Sequence, residues 1–83
     1  MPKFYFHVEG FADDLGVDLP SIDAAKCEAA RYAGRLLCDE AVTFWGMGEM
    51  SLTVTDERGL SLFVLSISGT EAPAIRIVPV VPA

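Results

Sequence analysis

The sequence predicts an α+β domain, a three- to four-stranded antiparallel sheet with one amphipathic helix packed on one face. Three observations carry that expectation. Residues 3–9 alternate apolar and polar side chains, and residues 22–41 repeat with a helical period. Residues 49–56 and 60–68 are two further apolar-rich stretches, separated by the turn sequence Asp56-Glu57-Arg58-Gly59. In order the elements read β-(β)-α-β-β, with a possible edge strand at the C-terminal end. A chain of 83 residues holds one domain, residues 1–83, and one small core.

Along the first strand Phe4, Phe6 and Val8 share one face, and Lys3, Tyr5, His7 and Glu9 share the other. Gly10 ends it. Leu15-Gly16-Val17-Asp18-Leu19 then reads as a short second strand returning beside the first. Pro20 stops that strand, Ser21 offers a side-chain acceptor to the first free helical N–H groups, and Asp23 suits the positive end of the helix dipole. At 100° per residue, Ile22, Ala25, Ala29, Ala33, Leu36 and Glu40 form one stripe, with Lys26, Tyr32 and Leu37 at its margins. Three alanines in that stripe let the helix axis approach the sheet closely. Glu28 with Arg31 and Arg35 with Asp39 are weak surface pairs on the far side.

Beyond Ala41 the period fails, and the two glycines of Thr43-Phe44-Trp45-Gly46-Met47-Gly48 suggest a loop or an irregular helix exit. Met50, Leu52 and Val54 alternate with Ser51, Thr53 and Thr55, and Gly59 supplies the positive φ of a hairpin turn. The partner strand over 60–68 is apolar on both faces: Leu60, Leu62 and Val64 on one, Phe63, Leu65 and Ile67 on the other. In the tail, residues 70–83, a last strand over 75–78 is expected, confined by Pro79 and Pro82 to a sheet edge. The expected core is Phe4, Phe6, Val8, Ile22, Ala25, Ala29, Ala33, Leu36, Met50, Leu52, Val54 and one face of residues 60–68.

Six basic against twelve acidic residues give a net charge of −6, which argues against a nucleic-acid-tracking surface. No apolar run reaches the ~20 residues of a membrane span, and the opening residues lack the pattern of a secretory leader. A cytoplasmic protein is the expectation. Cys27 and Cys38 lie eleven residues apart in one predicted helix, roughly 16 Å along its axis, too far for an internal disulfide. They are expected to be reduced thiols flanking the core.

Chemistry finds little support. His7 is the sole histidine, and a catalytic role would need an orienting carboxylate and a nucleophile or substrate within reach; Glu9 and Thr53 are the nearest candidates the pattern offers. No nucleophile elbow, zinc helix or phosphate loop accompanies it. The expected role is a sheet-surface histidine, hydrogen-bonded to a backbone group or covered by a partner. Asp13-Asp14-Leu15-Gly16-Val17-Asp18 does not fit a calcium loop and reads as a solvated acidic turn. No catalytic residue, cofactor or metal is expected.

Tyr5-Phe6-His7, Asp13-Asp14-Leu15-Gly16, Leu19-Pro20-Ser21, the spacing of Ala24, Ala25, Ala29 and Ala30, and the hairpin Val54-Thr55-Asp56-Glu57-Arg58-Gly59 occur in a characteristic order. Together they resemble a family of short bacterial proteins of unknown function that opens with Pro-x-Tyr-Phe-His or a close variant. The resemblance covers roughly residues 2 to 67 and implies a small α+β domain without assigned chemistry. A looser similarity, resting on Asp13, Gly16 and the alanine-rich helix, is to HicB-type antitoxin domains.

One helix covers one sheet face only. The remaining apolar groups then point to an interaction surface, for which Tyr5, His7, Phe44, Trp45, Leu62, Val64, Ile75, Ile77 and Val78 are the candidates. The expected function is a non-catalytic interaction or structural module that forms a homodimer through the open sheet face, a sheet edge or the tail. No nucleic acid or membrane is expected as a partner, though another protein partner is compatible. The alternative is a HicB-like antitoxin that neutralises a small basic toxin or RNase.

Overall fold

In the computed structural model, which describes residues 2–9 and 11–74, four strands and two helices follow one another. They are β1 (Lys3–Val8), β2 (Val17–Asp18), α1 (Ile22–Asp39), α2 (Ala41–Met47), β3 (Glu49–Thr55) and β4 (Ser61–Ser68). The sheet runs β2-β1-β3-β4 with every neighbouring pair antiparallel. This is the α+β architecture the sequence predicts, with α2 added where a loop or helix exit was expected.

Alternation decides which side chains meet. Phe6 pairs with Val54 and Val54 with Phe63, while Val8 pairs with Leu52 and Leu52 with Leu65. Those rows lie on the face that α1 covers. Phe4, Phe6, Ala25, Ala29, Leu52 and Val54 form the buried cluster, with Val8, Leu19, Tyr32, Phe63 and Leu65 packed against it. Leu52 and Val54 are fully buried, each contributing about 1.5–3 kcal/mol of apolar transfer. The alanines act as expected: Ala25, Ala29 and Ala33 are the buried residues of α1, and a methyl group there sets the helix directly on the aromatic rings of β1.

Ser21 caps α1 by accepting the Ala24 N–H at 3.1 Å. The helix stops two residues earlier than the periodicity suggests. Glu40 leaves helical geometry (φ −117°, ψ 37°) and serves both helices, its N–H reaching the Leu36 carbonyl and its carbonyl accepting from Phe44. Val42, Thr43 and Gly46 are poor helix formers, so α2 depends on burying Phe44, and Gly48 closes it with φ 84°.

Several assignments are corrected. Ile22 is 42% exposed rather than core, because α1 meets the sheet at Ala25 and Ala29, about one and two turns further on. Cys27 and Cys38 are free, as expected, but exposed rather than flanking the core. Leu36, Val8 and Met50 are half-buried. β4 begins at Ser61, and a register slip opposite Val54 and Thr55, whose partners are Phe63 and Ser61, leaves Leu62 as the extra residue of a bulge. The expected strand over 75–78 lies outside the described residues.

Candidate functional site

On the face away from the helices, β1 presents Tyr5 and His7 side by side, their rings 9° from parallel with centroids 6.4 Å apart. His7 lies opposite Thr53, which lies opposite Val64; Tyr5 lies opposite Thr55. The imidazole is held at both nitrogens. Nδ1 accepts the backbone N–H of Asp13 at 3.0 Å, and Nε2 lies 3.0 Å from Thr55 Oγ1. Since Nδ1 faces a donor, the ring proton belongs on Nε2, which donates to Thr55.

Asp13 organises the connection between β1 and β2. Its Oδ2 accepts from the Phe6 N–H at 3.1 Å, and its Oδ1 accepts from the N–H groups of Leu15 and Gly16 at 3.0 and 3.1 Å. Partial burial works to raise this carboxyl's pKa. The amides of Phe6, Gly16 and Leu15 outweigh burial and, with neighbouring His7 acting in the same direction, hold it below its ordinary value. Gly16 has φ 72°, and a Cβ there would come within 2.7 Å of Lys3 Cγ and 2.9 Å of the Tyr5 ring. Only glycine lets the turn lie against Tyr5. The acidic turn expected to be merely solvated therefore has one carboxylate tied to three backbone amides.

This geometry bears on proton transfer. A histidine acting as general base toward Thr55 would need a free lone pair on Nε2. Here the Asp13 N–H takes the Nδ1 lone pair and leaves Nε2 as the donor. The residue that bonds His7 on this side is Asp13, through its backbone N–H, rather than Glu9. Among the described residues no three His, Cys, Asp or Glu side chains converge as a metal site, and no helix is long and apolar enough to cross a membrane.

The candidate surface residues divide into separate groups. Tyr5, His7 and Val64 share the open face, which is otherwise lined by Ser51, Thr53, Thr55 and Ser66. Leu62 and Val64, 38% and 54% exposed, mark β4, whose far side carries no neighbouring strand among the described residues. Phe44 is buried, contrary to its expected role as an exposed contact, because α2 turns it inward. Trp45 stays half-exposed in an edge-to-face contact with Phe44, centroids 5.5 Å apart. A Cβ on Gly69 would fall 2.8 Å from the Trp45 ring and 3.0 Å from Phe44, so Gly69 is the floor of that aromatic pair. Ile75, Ile77 and Val78 lie outside the described residues. The expected backbone partner of His7 is present, but sequence reasoning did not identify it as Asp13, and it missed both the Asp13 carboxylate turn and the Gly69 contact. The carboxylate turn had a legible signal, since Asp followed three residues later by Gly favours side-chain-to-backbone turns; the Asp13 N–H to His7 bond and the Gly69 contact had none.

An antiparallel sheet with one helical layer and a backbone-pinned histidine on its open face makes a small α+β module. The chain belongs to the DUF6894 family, described as a domain of unknown function, whose family model matches residues 3–68. Neither the curated proteins nor the solved structures gave a match to this chain.

Proposed function

We propose that this chain is a non-catalytic interaction module that self-associates along the outer edge of β4. The observation that carries the reading is the character of that edge. Ser61–Ser68 is an eight-residue strand with no charged residue, proline or glycine, and it exposes Leu62 and Val64. Edges of this length that carry neither charge nor proline invite pairing with another strand, and beyond the bulge at Leu62 residues 63–68 run in regular register. A second copy related by a two-fold axis would place β4 antiparallel to itself and cover both edges at once. Such a contact supplements the limited core of a small domain that has no internal disulfide. Two exposed free thiols fit a reducing compartment such as the cytoplasm.

Sedimentation equilibrium tests the proposal. The expected result is a dimer at micromolar concentration, converted to monomer by Leu62→Lys with Val64→Lys and with circular dichroism unchanged. A wild-type monomer at ~100 µM, where a micromolar interface would be saturated, overturns self-association. A dimer that survives both lysines overturns the β4 edge as its seat. Capture of a stoichiometric small basic protein in place of a second copy would transfer the reading to the antitoxin class.

A further inference from the structure

The helical side carries a second surface, independent of β4. Where α1 gives way to α2, a groove of about 620 Å³ opens between the helices and the ends of β1 and β3. Val8, Phe11, Tyr32, Leu36, Met47 and Met50 supply its apolar lining. Phe11 and Met47 stand largely free of the protein, 77% and 65% exposed. Val8 and Phe11 exchange both backbone hydrogen bonds, which fixes the Phe11 main chain beside the end of β1.

The groove has one sign of charge. Glu9, Glu40 and Glu49 line it, and among the described residues no lysine or arginine does. On the other side of Phe11 and Tyr32 a second groove of about 520 Å³ continues the trough, with Asp13, Asp14 and Glu28 against the single cation Arg35. An elongated apolar channel rimmed by carboxylates matches an amphipathic segment with apolar side chains on one face and Lys/Arg on its flanks. The two methionines add side chains that repack around different apolar groups. A second copy of this chain fits poorly, since at net −6 it would bring carboxylates against carboxylates.

We infer that the trough between α1–α2 and the ends of β1 and β3 is a docking site for a basic amphipathic helix of a protein partner. Apolar contacts with Phe11, Tyr32 and Met47 supply affinity, and Glu9, Glu40 and Glu49 select cationic flanks.

The test uses the full chain and a fluorescent model helix of about 18 residues, leucine on one face and lysine on the other, with a leucine/glutamate helix of the same length as comparison. At physiological salt the lysine helix is expected to bind in the micromolar range and the glutamate helix not to bind. Combining Glu9→Gln, Glu40→Gln and Glu49→Gln should weaken binding by about tenfold or more, and Phe11→Ser should weaken it separately. Asp18→Asn, Asp23→Asn and Glu57→Gln remove the same charge away from the trough and should change affinity by less than about twofold. Equal losses in the two charge-neutralised triples would show attraction to net charge alone and overturn the site. Failure of the lysine helix to bind, or binding of both helices alike, overturns it as well. The β4 substitutions should leave this binding unchanged, which separates its failure from a failure of the dimer.

Discussion

The backbone N–H of Asp13 meets Nδ1 of His7 at 3.0 Å, and that bond fixes which ring nitrogen carries the proton. It also joins the loop after β1 to the open face of the sheet, because Nε2 reaches Thr55 on β3. His7 thus ties the loop that follows its own strand to β3, which lies far along the chain.

Replacing His7 by alanine removes both bonds and leaves the Asp13 amide without its partner. The expected cost is about 1–2 kcal/mol, read from urea midpoints. Nitrogen-15 spectra of the wild type should show Nδ1 as the bare ring nitrogen at neutral pH. A ring protonated at Nδ1 instead would contradict the Asp13 contact.

Asp13 gives the protein an acid-sensitive term. Its carboxyl is held below its ordinary value by the amides of Phe6, Gly16 and Leu15 against the opposing effect of burial. A folded-state pKa below the unfolded one means that the contribution is fully present above about pH 4 and is lost as the pH falls through the folded value. Stability measured between about pH 5 and 2 should fall less steeply in Asp13→Asn than in the wild type. Identical slopes would show that the carboxylate is not engaged. Asp56 is lowered in the same direction, first by the Leu60 amide of the hairpin turn, so Asp13→Asn with Asp56→Asn should flatten the acid limb further.

Two glycines should respond in opposite ways to alanine. Gly34, within α1, has nothing within 4 Å of an added Cβ, so Gly34→Ala should stabilise the protein by about 0.5–1 kcal/mol through helix propensity. Gly69→Ala would drive a methyl into Trp45 and Phe44, at a cost of about 1–3 kcal/mol. Trp45 is the chain's one tryptophan, so its emission reports the displacement directly. Unchanged emission in Gly69→Ala would place the indole elsewhere.

The alanine face of α1 predicts a ranking. Ala29→Leu forces a larger side chain between the helix and the sheet and should cost about 1–3 kcal/mol. Arg31, exposed and paired to Glu28 at 3.5 Å, should tolerate alanine at less than about 0.5 kcal/mol. Denaturation midpoints in the reverse order would put the buried stripe on the other side of the helix.

Local pattern alone determined the strands, the main helix and its buried alanines. Alternation at Phe4 and Phe6 and again at Leu52 and Val54, a stripe through Ala25, Ala29 and Ala33, and a positive φ at Gly59 depend on neighbours within a few residues, where side-chain geometry has a fixed period. Tertiary structure decided what local period does not encode. Phe44 is buried because α2 folds against the sheet, although Val42, Thr43 and Gly46 argue for a loop. His7 binds the Asp13 amide because the β1–β2 connection curls back over the open face. Gly69 meets Trp45 because the end of β4 passes beneath α2. Each of these contacts joins segments whose meeting depends on chain path, and a contact of that kind leaves no periodic trace in the residues that make it.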